Sequence, residues 1–197
     1  MTGSWVVVIP VKGTPDAKSR LGGSEQLALA IALDTVEAAV GVADVIVVTS
    51  AAAAPLFTKL GARTCADPGG GLGAAVTAGI ALAGIDAPQV AVAVLLGDLP
   101  ALTPCALVNA LTLAESYPLA MVADADNSGT VLITALPRAI HSPAFGHNSR
   151  DAHRAAGYTE LDVSETSVLR RDVDTTVHLH SFSRAILGPR TRGLLGA

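Results

Sequence analysis

The chain alternates short apolar runs rich in β-branched residues with longer segments in which apolar residues recur at helical spacing. Residues 5–11 are continuously apolar and rich in valine, which predicts a strand buried on both faces. Ser24 can cap the helix that follows, which carries one apolar stripe: Leu29, Leu33, Val36 and Val40. The same patterns predict further strands at 45–49, 62–65, 90–96, 119–123 and 130–134. They predict further helices at 51–60, from the glycines at 69–73 onward, at 103–115 and at 174–187.

Strands that alternate with helices of this length predict the α/β class, as a single domain with a mostly parallel sheet and helices on both faces. After about residue 137 the pattern becomes irregular, because glycine, histidine and arginine replace the aliphatic residues. The domain is expected to span 1–187. Residues 188–197 show no periodicity and are expected to form a frayed C-terminal tail.

The high apolar content of the chain suggests a membrane-spanning helix, but the lengths of the apolar runs argue against one. Half of the 197 residues are apolar, but only 3% are aromatic, so alanine, valine, leucine and isoleucine have to build the core. The longest apolar runs, 27–33 and 90–96, fall well short of the roughly 20 residues that a spanning helix requires. No basic residue precedes the first apolar run, unlike in a secretory signal. We therefore expect a cytoplasmic protein with no membrane partner.

Charge and the distribution of reactive side chains exclude several other classes. The formal charge of −4 argues against a nucleic-acid partner, which normally requires a basic face. Cys65 and Cys105 lack the spacing of metal ligands and are expected to pack as small residues. His153, His178 and His180 are expected to be ordinary surface or core histidines. No serine or cysteine lies in a nucleophile-elbow sequence, so covalent catalysis has no candidate.

The loop after the first strand is the first candidate for ligand binding, because open sheets of this kind bind ligands beyond the carboxyl ends of their strands. It carries Lys12, Lys18 and Arg20 with Gly13 among them, although the whole chain has only three lysines. Glycine allows close backbone approach, and the cations supply charge for a triphosphate. The loop has neither the P-loop order nor the dinucleotide fingerprint, and a solvated surface loop is the alternative.

Carboxylates and glycines mark three further loops. Asp98 ends a buried strand in the sequence Gly-Asp-Leu-Pro, which favours a Mg²⁺ ligand, with a capping residue as the alternative. Asp172 and Asp174 lie two positions apart in an extended segment and can face one cation, although Asp174 is also a good N-cap. The glycines at 69–73 either form a plain turn or bring amides close to a base or a phosphate.

A last polar region combines residues 126–130 with 145–149. Gly129 and Gly146 would let backbone amides approach an anion, and Thr130 and Ser149 supply hydroxyl donors. Ser149 can also cap a short helix. A structural loop explains this region equally well.

Taken in order, these motifs resemble the phosphoenolpyruvate/2-phospho-L-lactate guanylyltransferase family of coenzyme F(420) biosynthesis. The resemblance runs from about residue 6 to about residue 183. It is carried by the following segments: Pro-Val-Lys at 10–12, Ala-Lys-Ser-Arg-Leu at 17–21, Gly-Asp-Leu-Pro at 97–100, Gly-Thr at 129–130, Phe-Gly at 145–146 with Ser149 and His153, and Asp-Val-Asp-Thr at 172–175. Gly-Asp-Leu-Pro alone would also fit related sugar and molybdopterin nucleotidyltransferases.

The resemblance implies a Rossmann-like domain of the nucleotide-diphospho-sugar transferase type and a role for each motif. The catalytic residues would be Lys12, Lys18, Arg20 and Asp98, the first three holding the GTP phosphates. Mg²⁺ would be bound by Asp98, Asp172 and Asp174. The guanosine would contact Gly71 and Leu72. The phospho-acid would be gripped by Thr130, Gly146 and Ser149.

The implied reaction transfers GMP from GTP to phosphoenolpyruvate and releases pyrophosphate. A phosphate nucleophile is already anionic, so the enzyme has to supply alignment and charge neutralisation rather than a general base. Phosphoenolpyruvate is preferred because the alanine-rich, lysine-poor composition is similar to that of family members expected to use it. The alternatives are 2-phospho-L-lactate, a sugar phosphate or molybdopterin as acceptor, and a non-catalytic nucleotide-binding subunit. The resemblance also leaves open a hand-off to the downstream transferase and a homodimer.

Overall fold

A computed structural model describes residues 5–11, 25–86, 89–173 and 175–195. Within them one mixed sheet has seven strands in the order β3-β2-β1-β4-β6-β5-β7. The strands are β1 Trp5–Pro10, β2 Asp44–Thr49, β3 Arg63–Ala66, β4 Ala91–Leu95, β5 Leu119–Ala123, β6 Thr130–Ala135 and β7 Thr159–Glu160. Strand β6 runs antiparallel to both of its neighbours, and every other pair is parallel. The predicted α/β class with a mostly parallel sheet is therefore confirmed.

The first five described helices lie between strands along the chain, and the last two follow β7. They are α1 Glu25–Val40, α2 Ala54–Thr58, α3 Leu72–Asp86, α4 Pro104–Ala114, α5 Ser149–Ala155, α6 Thr176–His180 and α7 Pro189–Leu194. Short 3-10 turns lie at Val168–Arg170 and Arg184–Ile186. None of the described helices is both long enough and apolar enough to cross a membrane.

Helices lie on both faces of the sheet because its central strands are apolar at every position. In β1, Val7 and Ile9 belong to the core cluster that contains residues of α1 and α4. The alternate residues Val6 and Val8 pack with α3 on the opposite face. A side chain at Gly79 of α3 would collide with Val8, so glycine lets this helix lie directly against β1.

Two predictions for the C-terminal region are wrong. The helix expected at 174–187 is described as α6 followed by a 3-10 turn. It ends early because the Ser181 hydroxyl donates to the His178 carbonyl, and the Ser181 carbonyl accepts from the Arg171 guanidinium. The expected frayed tail contains helix α7, which packs along α1.

A buried carboxylate holds α7 in place. Asp34 of α1 is 6% exposed and accepts hydrogen bonds from the backbone N–H groups of Arg190 (3.2 Å) and Thr191 (2.8 Å). The Arg190 guanidinium also donates to Asp34 (3.1 Å) and to the exposed carboxylate of Glu37 (2.7 Å). A side chain at Gly188 would collide with Asp34. The carboxylate thus satisfies the first N–H groups of α7 at a point where the chain has no room for a side chain.

We expect Asp34→Ala to lower the free energy of unfolding by about 2–3 kcal/mol, because it leaves a buried backbone donor without its acceptor. Glu37→Ala is the matched control; it removes only the exposed partner of Arg190 and should cost less than about 1 kcal/mol. Urea unfolding followed by circular dichroism measures both. Equal losses in the two variants would show that the buried hydrogen bonds do not hold α7.

Candidate active site

A cavity of about 510 Å³ opens where β4 and β5 end and β6 begins. Its lining residues are Leu72, Leu96, Asp98, Asp124, Ser128, Gly129, Thr130, Phe145, Gly146, His147, Asn148, Ser149 and Asp172. Six predicted site residues therefore meet here: Leu72, Asp98, Thr130, Gly146, Ser149 and Asp172. Gly71 directly precedes one of them. The other predicted site residues, Lys12, Lys18, Arg20 and Asp174, lie outside the described residues.

The loop that carries Asp98 is held through its backbone on three consecutive residues. The Asp98 carbonyl accepts from Val173 N–H at 3.0 Å, which places the segment of Asp172 beside it. Leu99 N–H donates to the buried Thr35 hydroxyl of α1 at 3.2 Å. The Pro100 carbonyl accepts from Gly188 N–H at 2.7 Å. The position of the carboxylate therefore depends on α1, on the 172–173 segment and on the chain that leads into α7.

Asp98 and Asp172 suit a hard divalent cation. Both are half-buried carboxylates that line the same cavity, and carboxylate oxygens are the ligands that Mg²⁺ prefers. Within the described ranges no three histidine, cysteine or acidic side chains form a metal-binding group. Asp174, the third ligand predicted from the sequence, lies outside those ranges. The donor set that is described fits the metal.

The glycine-rich loop after β3 needs its glycines for backbone conformation. Gly69, Gly70 and Gly71 have φ angles of 78°, 84° and 88°, in the left-handed region that other residues rarely adopt. Asp67 accepts from Gly69 N–H at 2.9 Å and closes the turn. Helix α3 then begins at Leu72, which is 37% exposed at the cavity. The loop is thus a hydrogen-bonded turn, and it places Leu72 at the cavity.

Asp124 is a cavity residue that sequence reasoning missed. Its two carboxylate oxygens accept from Ser128 N–H (3.0 Å) and Gly129 N–H (2.7 Å), which closes the loop between β5 and β6. A side chain at Gly129 would collide with this carboxylate. The signal was available, because Asp124 directly follows an apolar strand, as the loop of Asp98 does.

Arg170 is a second residue that the sequence did not single out. It is 7% exposed, and its guanidinium donates to the carbonyls of Asp124 (2.8 Å) and Val163 (3.2 Å). It also donates to the side chain of Asn127 at 2.6 Å. A buried arginine that bonds backbone oxygens holds the 124–127 loop against the rest of the domain. The residues next to Arg170 in the sequence form no motif that predicts this role.

Thr130 and Ser149 face the cavity from neighbouring segments and are 3% and 2% exposed. Ser149 N–H donates to the Gly146 carbonyl at 3.1 Å, and Gly146 has a φ of 137°. The expectation that Ser149 caps the helix is wrong. Asn148, with a left-handed φ of 55°, is the cap residue, and Ser149 is the first residue of α5.

The irregular segment that leads to Gly146 is anchored by the half-buried His141, the buried His153 and the buried Tyr158. His141 lies 3.0 Å from both the Val92 carbonyl and the Tyr158 hydroxyl, which in turn accepts from Ser142 N–H at 2.9 Å. His153 accepts from Ala144 N–H at 2.8 Å. Burial lowers the pKa of each histidine from its ordinary 6.5 to about 4. Both rings are therefore neutral near neutral pH and function as hydrogen-bonding anchors.

These two pKa values predict acid sensitivity of the fold. Between about pH 7 and pH 5 the unfolded chain binds more protons at His141 and His153 than the folded chain does. The free energy of unfolding should therefore fall as the pH drops through this window, by about 2 kcal/mol per histidine.

Urea unfolding at a series of pH values measures that slope. His141→Gln should reduce it by about half, since one of the two shifted groups is gone. His180→Gln, at an exposed histidine, is the matched control. An unchanged slope in His141→Gln would show that this ring does not stabilise the fold through its neutral form.

The charge of the described lining is mainly acidic. Asp98, Asp124 and Asp172 supply three carboxylates, and His147 is the one basic side chain among the lining residues that the structure describes. The hydroxyls of Thr130 and Ser149 add neutral donors. This set offers ligands for a cation and hydrogen bonds for an anion, side by side.

Comparison with known proteins places the chain in a family. The model of the MobA-like NTP transferase domain matches residues 15–174. A phosphoenolpyruvate guanylyltransferase of Streptomyces coelicolor is 44% identical over 198 residues, which cover 95% of this chain and 93% of that protein. One of Salinispora arenicola is 44% identical over 209 residues, with 100% and 95% covered.

Solved structures share the fold. A nucleotide-diphospho-sugar transferase of Desulfovibrio desulfuricans G20 superimposes with a TM-score of 0.69 at 19% identity, covering 97% of this chain and 93% of that one. Rv0371c of Mycobacterium tuberculosis, solved with manganese, gives a TM-score of 0.56 at 18% identity, with 95% and 99% covered. The Rossmann-like nucleotidyltransferase fold expected from the sequence is confirmed.

Proposed function

We propose that this chain, which belongs to the phosphoenolpyruvate guanylyltransferase family and carries a MobA-like NTP transferase domain, transfers GMP from GTP to phosphoenolpyruvate. It is a nucleotidyltransferase, and pyrophosphate is the second product. We place the reaction in this cavity because four side chains line it together at one edge of the sheet: Asp98, Asp172, Thr130 and Ser149. Carboxylates for a cation and hydroxyls for an anion stand together there.

The chemistry asks the protein for alignment and charge rather than for a base. An oxygen of the phospho-acid's phosphate attacks the α-phosphorus of GTP, and the bond to the β-phosphate oxygen breaks to release pyrophosphate. The nucleophile is already an anion, so no proton has to be removed. The main barrier is repulsion between the negatively charged reactants, which the site has to neutralise and orient.

We assign the neutralising groups as follows. Mg²⁺, held by Asp98 and Asp172 together with Asp174, would screen the triphosphate when it is bound. Lys12, Lys18 and Arg20 follow β1 in the chain and would bind the same phosphates. Lys12 directly follows Val11 in the sequence, and the end of β1 lies beside that of β4. The manganese complex of a protein with this fold is consistent with a divalent ion.

We assign the acceptor to the other half of the cavity. Thr130 and Ser149 would donate hydrogen bonds to the phospho-acid, and the backbone at Gly146 has no side chain to keep an anion at a distance. The guanosine would contact Gly71 and Leu72. The guanylylated enol acid contains a reactive phosphoanhydride bond. This reactivity favours its direct consumption by a downstream transferase in the cytoplasm.

The test is a pyrophosphate-release assay with GTP and Mg²⁺, in which phosphoenolpyruvate, 2-phospho-L-lactate and a sugar phosphate are offered in parallel. We expect release with phosphoenolpyruvate, and none when ATP replaces GTP. Release with 2-phospho-L-lactate alone would change the acceptor and keep the reaction. Release with a sugar phosphate alone would contradict the proposal. No release with any acceptor, in a sample that binds GTP and is supplied with the downstream transferase, would leave a nucleotide-binding protein.

Asp98→Asn should lower kcat/KM by at least about a hundredfold, since it removes a charge from the proposed cation site without changing the side chain's size. The Asp98 carbonyl that accepts from Val173 is backbone and is kept. Asp126→Asn is the matched control, at an exposed aspartate that does not line the cavity, and should retain activity within about twofold.

Titration with Mg²⁺ at fixed GTP separates a metal ligand from a residue that only shapes the loop. In Asp98→Asn the Mg²⁺ concentration for half-maximal activity should rise. A variant that loses activity at an unchanged Mg²⁺ requirement would remove Asp98 from the metal site.

A further inference from the structure

We propose that His153 is a positioning residue that fixes the Thr130 hydroxyl as a hydrogen-bond donor directed into the cavity. The same ring ties the start of β6 to the wall that carries Phe145 and Gly146. This inference rests on the proposed function for the identity of the anion that Thr130 meets. The arrangement of the ring itself does not depend on it.

The tautomer of His153 follows from its two partners. Ala144 N–H can only donate, and it lies 2.8 Å from Nε2 of the ring, so Nε2 carries the lone pair. A neutral imidazole with a bare Nε2 carries its proton on Nδ1. Nδ1 lies 3.0 Å from the Thr130 hydroxyl oxygen. The ring therefore donates to Thr130, and the Ser149 carbonyl, one turn earlier in α5, is a second acceptor for the same proton.

A hydroxyl that accepts a hydrogen bond from a fixed donor has its single proton left for another acceptor. Within the described residues, His153 is the hydrogen-bond partner of the Thr130 hydroxyl, which sits 3% exposed in the cavity lining. A phosphate or carboxylate oxygen of a bound ligand is the acceptor that would complete the chain. This series of hydrogen bonds runs from Ala144 N–H through the ring and the Thr130 hydroxyl to the ligand.

The surroundings of the ring keep it in this state. His153 is fully buried and packs edge-on against Phe145 and Tyr158, with ring centroids 5.0 and 5.2 Å away. Burial holds its pKa at about 4, so the ring does not gain the second proton that would displace Ala144 N–H. His153 lies four residues after Ser149 on α5, so one face of the helix serves both residues.

Two substitutions divide the functions of the ring. The amide of His153→Asn can reach roughly where Nδ1 lies and can keep a donor for Thr130. The longer amide of His153→Gln reaches roughly where Nε2 lies, so it can keep the acceptor for Ala144 and loses the donor. We expect His153→Gln to raise KM for phosphoenolpyruvate about tenfold or more, with KM for GTP within about twofold. His153→Asn should recover part of that loss.

A double-mutant cycle with Thr130→Val tests whether the ring acts through the hydroxyl. In the Thr130→Val background, His153→Gln should have little further effect on KM for phosphoenolpyruvate. Equal factors in the two backgrounds would show that His153 contributes packing alone and would overturn the proposal. His180→Gln, at an exposed histidine, should leave both KM values unchanged.

Nitrogen-15 NMR of the histidine rings in the unliganded protein checks the tautomer without any substrate. We expect His153 protonated at Nδ1 near neutral pH. His141 is an internal control with the opposite tautomer, because its Nε2 faces the Val92 carbonyl and must donate. An Nε2–H tautomer at His153 would overturn the proposal whatever the reaction is. The expected tautomer in a protein that uses no phospho-acid would overturn the proposed function alone.

Discussion

The site depends on the backbone hydrogen bonds that hold the loop after β4. Thr35 of α1 binds Leu99, the chain before α7 binds Pro100, and Val173 binds the carbonyl of Asp98. Each bond uses a group that the loop must satisfy anyway once it leaves the sheet. Together they place the two carboxylates Asp98 and Asp172 on adjacent segments. The carboxylate position is therefore a property of the whole domain, and the buried Asp34 contributes to it by holding α7.

The cavity wall that carries Phe145 and Gly146 is held in place by side-chain hydrogen bonds. The segment from 136 to 148 has no regular structure, and its backbone N–H groups cannot be paired by a helix or a sheet. Tyr158 and His153 accept from two of these N–H groups, those of Ser142 and Ala144, and His141 ties the segment to the Val92 carbonyl of β4. Neutral imidazole rings can serve as such anchors because each offers one donor and one acceptor in fixed directions. The loop reaches Gly146 in a defined position as a result.

Site residues could be predicted from the sequence where they directly follow a recognisable strand. The apolar runs of β1 and β4 predict strands, and ligands bind at the carboxyl ends of such strands, so Asp98 could be found. Arg170 could not, because its partners Asp124 and Asn127 lie more than 40 residues away and only folding brings them together. The tail was misjudged for the same reason. Helix α7 exists through Asp34, which is 156 residues earlier in the chain than Arg190.

One antiparallel strand explains how so small a domain can serve two anionic substrates. In a wholly parallel sheet the cavity edge would receive only carboxyl ends of strands, and Ala135 would stand where Thr130 does. Because β6 is reversed, it delivers its first residue, Thr130, to the edge where β4 delivers Asp98. The proposed reaction needs both kinds of group, carboxylates that hold a cation on the donor nucleotide and neutral hydroxyls that meet the acceptor. Mixing strand directions supplies them within one cavity, and a ring behind Thr130 that stays neutral keeps that hydroxyl a donor.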